Sequence, residues 1–392
     1  MEKKKLLLMV PMLHQGGFER VCVETARILK ERKGDQIDVE ISLFSDEDIN
    51  YDIKGLTVIN LNIPARDGKI AKAKNVLARV RAVRKLKRSH GYDYCYSFGS
   101  TANLINALTR GQGKTLVGLR SQIDLANKKQ IRFFAGRADK VVCCSGEIKR
   151  QLKERYGITN TSLLYNPISD TKIREKAKDK ITDFPFPETP VEKIFVSLGR
   201  EDDFKGYWHL IKAFSLVHEK DRETRLLIVG EGTFAPYQKL AQDLGILDAV
   251  SFPGVRKNPF PYLARCGVYV TTSNIEGFPN ALLEAMALGL PVISTDCRTG
   301  PSEILCETMQ EGHVREVKDE AYGVLIPDMD NRPDFDAGNL TEDDRVLAGA
   351  LTSMLENPEK REHYAAQSLK RVQTYSPESY AGNLMQILQS LD

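Results

Sequence analysis

Short, almost wholly apolar runs recur along this chain, each followed by residues at helical spacing, and that alternation constrains the fold more than any other feature. In the first half the runs are 6–10, 39–44, 56–61, 92–97, 115–119 and 140–144. In the second half they are 193–198, 225–229, 250–253, 267–271, 291–295 and 323–326. Runs too short for helices, apolar on both faces and separated by helical segments, read as strands of a parallel sheet covered by helices. Repeated twice, the pattern predicts an α/β protein of two doubly wound domains. Local punctuation agrees. Ser145 suits a helix N-cap, Pro279 opens a helix, Gly289 ends it and Pro291 forbids its continuation.

The chain has 392 residues, enough for two domains. The expected division is a first domain over 1–172, a linker over 173–192 holding Pro185, Pro187 and Pro190, and a second domain over 193–375. Residues 376–392 are expected as a closing helix that packs back on the first domain. No apolar run approaches the ~18 residues of a membrane span, and 6–10 is too short for a signal peptide. Seven cysteines, an odd number without a C-x-x-C pair, fit a reducing cytosol. Net charge is +3, unevenly placed. Residues 1–170 carry 31 Lys+Arg against 18 Asp+Glu, a net +13, whereas the remainder carries 25 against 35, a net −10. That asymmetry suggests an anionic surface facing the first half.

Chemistry concentrates in 274–303, Asn-Ile-Glu-Gly-Phe-Pro-Asn-Ala-Leu-Leu-Glu-Ala-Met-Ala-Leu-Gly-Leu-Pro-Val-Ile-Ser-Thr-Asp-Cys-Arg-Thr-Gly-Pro-Ser-Glu. Glu276 follows a strand and Glu284 lies in the next helix. Glu284 stands among Leu282, Leu283, Ala285, Met286 and Ala287, too apolar a stretch for an exposed face, so its carboxylate needs a partner. In open parallel sheets ligands bind outside the carboxyl ends of the strands. Two carboxylates there, beside a helix N-terminus that attracts anions, suit a ligand with both hydroxyls and phosphate, such as a nucleotide sugar. Arg200 and Lys205 follow the strand 193–198 and can reach one diphosphate together. Gly16 and Gly17 precede the first helix, where backbone N–H groups can face an anion.

The segment 274–303, the element Gly199-Arg200…Lys205-Gly206 and the element Gly16-Gly17-x-Glu19-x-Val21 together resemble the family 4 retaining glycosyltransferases, which have the GT-B fold: two Rossmann-like domains facing a central cleft. The likeness extends to bacterial enzymes of capsule, exopolysaccharide and O-antigen (lipopolysaccharide) synthesis. It implies transfer of a hexose or N-acetylhexosamine from a nucleotide sugar, with UDP the expected carrier, to a polyprenyl-diphosphate-linked saccharide. Arg200 and Lys205 would stabilise the leaving diphosphate, Glu276 the donor sugar's hydroxyls and Glu284 the ribose. Gly16, Gly17, Gly230, Val255, Gly277, Phe278, Pro279 and Asn280 complete the implied donor site. No cofactor or metal is implied, and Asp328-Met329-Asp330 reads as a surface turn. Many members place a histidine after the strand matching 115–119. Here Gly118-Leu119-Arg120-Ser121-Gln122 stands instead, and Arg120 joins His14 as an acceptor-side candidate, with a simple surface role for His14 equally open. A non-transferring GT-B enzyme, a nucleotide-sugar 2-epimerase or a phosphorylase, is the alternative. A nicotinamide enzyme would want G-x-G-x-x-G after the first strand, which is absent.

Lys69 to His90 holds nine Lys/Arg and no acid. Ile70, Ala73, Leu77, Val80 and Val83 recur at helical spacing, so this is a basic amphipathic helix. An anionic membrane surface explains the excess best, ahead of a plain solvated face. Nucleic acid ranks last, because aromatic interleaving is absent. The implied location is cytoplasmic and peripheral, on the inner face of the cell membrane.

Overall fold

The computed structural model describes residues 3–14, 16–47, 49–308 and 313–392. They form two compact units, Met1–Pro167 with Pro377–Asp392, and Ile168–Ser376. Among the described residues no helix is long and apolar enough to cross a membrane.

In chain order the first unit holds β1 (Lys4–Val10), α1 (Gly17–Lys33), β2 (Ile37–Leu43), β3 (Thr57–Asn60), α2 (Lys69–His90), β4 (Tyr94–Phe98), α3 (Ser100–Leu108), β5 (Lys114–Leu119), α4 (Lys128–Ala135), β6 (Lys140–Cys143), α5 (Gly146–Tyr156) and β7 (Thr161–Leu163). The strands form one parallel sheet in the order β3-β2-β1-β4-β5-β6-β7. Leu6, Leu8 and Val10 of β1 share a core with Ile28 and Leu29 of α1. Leu7 and Met9 turn to the other face, against Val80, Val83 and Leu86 of α2 and Ile105 of α3. A strand covered on both faces must be apolar at every position, and 6–10 is. Ser145 caps α5 by accepting from the Ile148 amide at 3.1 Å.

The second unit holds α6 (Asp170–Lys176), β8 (Ile194–Leu198), α7 (Tyr207–Lys220), β9 (Arg225–Val229), α8 (Ala235–Asp243), β10 (Val250–Gly254), α9 (Phe260–Leu263), β11 (Val268–Thr271), α10 (Asn280–Ala287), β12 (Val292–Thr295), α11 (Pro301–Leu305), β13 (Lys318–Glu320), β14 (Gly323–Ile326), α12 (Glu342–Glu356) and α13 (Pro358–Val372). The sheet order is β10-β9-β8-β11-β12-β14-β13, parallel except for β13. Phe195, Trp208, Ile211, Phe214, Leu347 and Leu351 are central to its core. The last helix, α14 (Pro377–Gln389), returns to the first unit and adds Tyr380, Leu384 and Leu388 to the α1 face.

Four elements escape the sequence pattern: β7, α4, α6 and β13. β7 and β13 have three residues each, too few for a period to register. Residues 173–192, expected as a linker, pack within the second unit instead. Asn258 donates to the Lys176 carbonyl at 2.8 Å and to Asp179 at 2.7 Å, Arg256 pairs with Asp183 at 2.9 Å, and Phe186 is buried. Proline and charge mark irregular backbone but do not say whether it is covered.

Candidate functional site at the carboxyl edge of the second sheet

In each sheet the strand order reverses beside the first strand, between β1 and β4 and between β8 and β11. The loops leaving two such strands diverge and leave a crevice at their carboxyl ends. In the second unit those loops carry Lys205, after β8, and Glu276, after β11. The structure brings them together: Lys205 Nζ lies 2.7 Å from Glu276 Oε1, with the two side chains 24% and 15% exposed.

Backbone contacts fix this pairing. Thr272 Oγ1 donates to the Lys205 carbonyl at 2.7 Å, and the Asn274 amide donates to the Phe204 carbonyl at 3.0 Å. Gly206 turns the chain in the left-handed region, φ +60°, and a Cβ there would sit 2.5 Å from the Thr272 carbonyl. Thr299 Oγ1 donates to the Glu276 carbonyl, holding the loop from its other side. At Gly230 a Cβ would fall 1.8 Å from the Gly199 carbonyl, so the β8 and β9 loops approach closely only because that residue is glycine. The Glu201 amide completes the contact by donating to the Glu231 carbonyl at 2.6 Å.

Arg200 is placed less tightly. Its side chain is 66% exposed and bonds Asp202 through Nε at 3.1 Å and through the terminal nitrogen at 2.9 Å. Asp202 Oδ1 meanwhile accepts from the Phe204 amide at 3.0 Å, capping the turn that leads to Lys205. Glu284 is 3% exposed within α10. Phe278 is also buried, its ring 5.3 Å from that of Tyr375, so backbone is what this residue offers a ligand. Gly277 and Pro279 are buried beside it, Asn280 opens α10 half-buried, and Val255 is exposed after β10. Nothing in the sequence marks Thr272, Asp202 or Thr299 as part of this site. A threonine or aspartate beside a turn carries no mark of which backbone it will bond.

Asp328 and Asp330 are more than a turn. Met329 between them is buried against the second unit's core. Burial raises the Asp328 carboxyl to about 6, opposed by the attraction of His313. His209 of α7 reaches the Asp330 carbonyl through Nε2 at 2.9 Å and Asp344 through Nδ1 at 2.5 Å. A carbonyl can only accept, so Nε2 carries a proton, and the carboxylate draws one to Nδ1. Burial opposes the imidazolium, but these two bonds prevail and hold the His209 pKa above its usual value. Lys212, one turn on, bonds Asp334 at 2.8 Å and the Asn339 carbonyl at 2.9 Å. The loop after β14 is thus clasped to α7 rather than left on the surface.

The first unit's candidates gather at the carboxyl edge of its own sheet. Gly16 is extended and bonds Tyr51 twice, donating its amide at 2.9 Å and accepting the phenol at 2.6 Å. Gly17 begins α1. His14 is exposed, with Nδ1 3.4 Å from the Asn50 amide nitrogen. Arg120, at the end of β5, donates to Asn166 Oδ1 at 2.9 Å and to the Tyr96 hydroxyl. In α2 the expected apolar stripe divides. Val80 and Val83 are buried, with Leu86 beyond them, whereas Ala73 is exposed, as are Ile70 (76%) and Leu77 (55%). Arg79 and Lys87 are buried too. Arg79 bonds the Ile63 carbonyl at 2.8 and 3.0 Å, and Lys87 bonds Asn106 at 2.8 Å and the Thr109 carbonyl at 3.3 Å. Seven of the nine cations therefore remain on the surface.

Comparison with known proteins agrees with this architecture. Residues 15–172 match the family described as Glycosyltransferase Family 4, and residues 179–326 match Glycosyl transferases group 1. The chain is 34% identical over 183 residues to an uncharacterized glycosyltransferase of Methanocaldococcus jannaschii, covering 44% of each. It is 24% identical over 403 residues to the N-acetylgalactosamine-N,N'-diacetylbacillosaminyl-diphospho-undecaprenol 4-alpha-N-acetylgalactosaminyltransferase of Campylobacter jejuni, covering 98% of this chain and 99% of that one. The crystal structure of Anabaena HepE in complex with UDP superposes with a TM-score of 0.72 at 17% identity, covering 98% of this chain and 100% of that one, a likeness of fold.

Proposed function

Since this chain belongs to the family 4 glycosyltransferases and has their GT-B fold, we propose that it moves a hexose or N-acetylhexosamine from a nucleotide sugar to a lipid-linked glycan in bacterial surface polysaccharide synthesis, with retention of the anomeric configuration. UDP is the proposed carrier. The observation that carries the reading is the Lys205–Glu276 pair, 2.7 Å apart beside the strand reversal of the second sheet. The full-length likeness to a Campylobacter enzyme whose name specifies a diphospho-undecaprenol acceptor supports the lipid-linked part.

Each cation assigned to the diphosphate is held by a carboxylate, Lys205 by Glu276 and Arg200 by Asp202. A donor brings both partners this arrangement calls for. Its diphosphate takes Lys205 and Arg200, and its sugar hydroxyls take the freed Glu276. Charge on the leaving UDP is then met by groups already in position, which is electrostatic preorganisation. Glu284 is assigned to the ribose hydroxyls. Gly230, Gly277, Phe278, Pro279 and Asn280 offer close backbone, and Val255 lies where backbone reads the base. His14 and Arg120 are assigned to the acceptor. The C1–O bond to UDP breaks as the acceptor oxygen bonds C1 from the same face, and the departing phosphate takes the acceptor's proton. No cofactor or metal has a role in this scheme. The exposed cations of α2, with Ile70 and Leu77 among them, are proposed to rest on an anionic membrane at the inner face of the cell membrane.

The test is to offer UDP-, GDP- and ADP-sugars to the purified protein, follow donor hydrolysis and transfer, and read the product anomer by proton NMR. UDP-sugar turnover, a retained anomer and full activity in EDTA are expected. An inverted anomer, or activity abolished by EDTA, overturns the proposed mechanism.

A further inference from the structure

Arg120 is held in an unusual way for a half-buried cation. Its guanidinium donates to the amide oxygen of Asn166 at 2.9 Å and to the phenol of Tyr96. It lies over the rings of Phe98, at 5.0 Å, and Tyr96, at 5.7 Å. The Tyr380 hydroxyl, brought by α14, also reaches it. Proton bookkeeping makes that phenol an acceptor. Thr25 Oγ1 donates to the Val21 carbonyl at 2.6 Å, so at 2.6 Å from Tyr380 it can only accept, and Tyr380 turns its lone pairs toward the guanidinium. Every partner is neutral. Among the described residues no carboxylate forms an ion pair with Arg120. The nearby Asp124 spends an oxygen on the Arg120 and Ser121 amides, at 2.7 and 3.0 Å.

A charge largely withdrawn from water is usually matched by an opposite charge. Here β4, the segment after β7 and α14 fix the fork's position, and the nearest carboxylate, Asp124, feels its charge without forming an ion pair with it. Gly118 allows this packing, since a Cβ there would meet the Ser97 carbonyl at 2.9 Å and the Tyr96 ring at 3.3 Å. The location adds to the argument. Arg120, Phe98 and Asn166 all lie at or just past carboxyl ends of the first sheet's strands, where ligands bind. Close by, α3 begins just after Gly99, which supplies no side-chain cap to its N-terminus.

We infer that Arg120 is the centre of an anion site in the first unit, which takes a phosphate or carboxylate borne by the acceptor, and that Tyr96, Asn166 and Tyr380 position it. The inference rests on the proposed transferase reading, because only an acceptor gives the first unit a ligand of its own. It adds that the acceptor is recognised through negative charge, either the diphosphate that joins glycan to lipid or an acidic sugar.

The test uses the full-length protein saturated with UDP, so that the donor's phosphate site is filled, and titrates in geranyl diphosphate or methyl glucuronide by calorimetry. One probe or both should bind, and which one does identifies the source of the charge. Arg120→Gln should weaken that binding by at least about tenfold, as loss of a charge-assisted fork requires. Tyr380→Phe should weaken it less while leaving cooperative thermal unfolding in place. Should Arg120→Gln not fold, Arg120→Lys keeps the charge without the fork and should retain part of the affinity. Failure of UDP-loaded wild type to bind either probe overturns the inference, as does equal binding by the Arg120 variants. Failure to bind UDP at all would instead sink the transferase reading.

Discussion

Lys205 and Arg200 carry the same charge under different constraint. Lys205 is a quarter exposed and its loop is fixed by Thr272 and Gly206, whereas Arg200 is two-thirds exposed and pairs with a residue two positions on. Exposed ion pairs contribute about 0–1 kcal/mol, so Arg200 can leave Asp202 for a diphosphate at little cost, whereas Lys205, in a largely buried pair, leaves Glu276 as the donor's hydroxyls take its place. If both act on developing charge, Lys205→Ala and Arg200→Ala should each lower turnover by ~10²–10³ with the protein still folded. Lys205→Ala should lie at the larger end, because its ammonium is the better placed before substrate arrives. Steady-state donor hydrolysis, with thermal unfolding as a control, decides this, and wild-type rates in both variants would remove the assignment. How far such residues were legible follows from their neighbours. The burial of Glu284 could be read because five apolar residues surround it. The burial of Phe278 could not, since a phenylalanine in a loop looks the same whether it faces a ligand or, as here, Tyr375.

At the scale of elements, apolar runs of four or more residues became strands, whereas most long-range polar contacts carried no local mark. Strands buried on both faces announced themselves. The loop after β14 did not, because its order comes from α7: His209 and Lys212 read as ordinary helix positions and prove to be clasps. Removing one member of such a buried pair costs roughly 3–5 kcal/mol, so His209→Gln should markedly lower the urea midpoint. The pH dependence follows from the sign of the shift. The His209 pKa is raised in the folded protein, so its contribution is complete below the ordinary value of 6.5 and is lost as pH climbs through the folded value. Unfolding midpoints measured upward from pH 6.5 should therefore fall in the wild type and much less in His209→Gln. Starting there leaves out most of the change at Asp328, raised from 3.8 to about 6, whose own contribution is lost as pH rises through that lower range. Parallel slopes in the two proteins would mean that the pair does not titrate in this way.

For the molecule as a whole, the alternation of apolar runs made two parallel sheets legible, while the assignment of 168–192 to the second unit and of α14 to the first depends on long-range contacts that no local period encodes. The charge asymmetry was equally legible and is where α2 acquires its meaning. Two of its nine cations are consumed inside the first unit, Arg79 by the loop at Ile63 and Lys87 by the end of α3. The remaining seven share the exposed side with Ile70 and Leu77, and such a surface suits the headgroup region of an anionic bilayer, where each cation contributes ~1 kcal/mol. The protein should therefore sediment with vesicles containing anionic lipid and not with neutral ones. Raising salt to ~1 M, where the Debye length falls to about 3 Å, should release it. Replacing Arg81, Arg84, Lys85 and Arg88 by glutamate should abolish binding at low salt, whereas Ile70→Ser with Leu77→Ser should weaken it without changing its salt dependence. Donor hydrolysis should persist in the glutamate variant, because the proposed nucleotide site belongs to the second unit. Binding that is indifferent to lipid charge, or unchanged in the four-residue variant, would reduce α2 to a helix whose outer face meets only water.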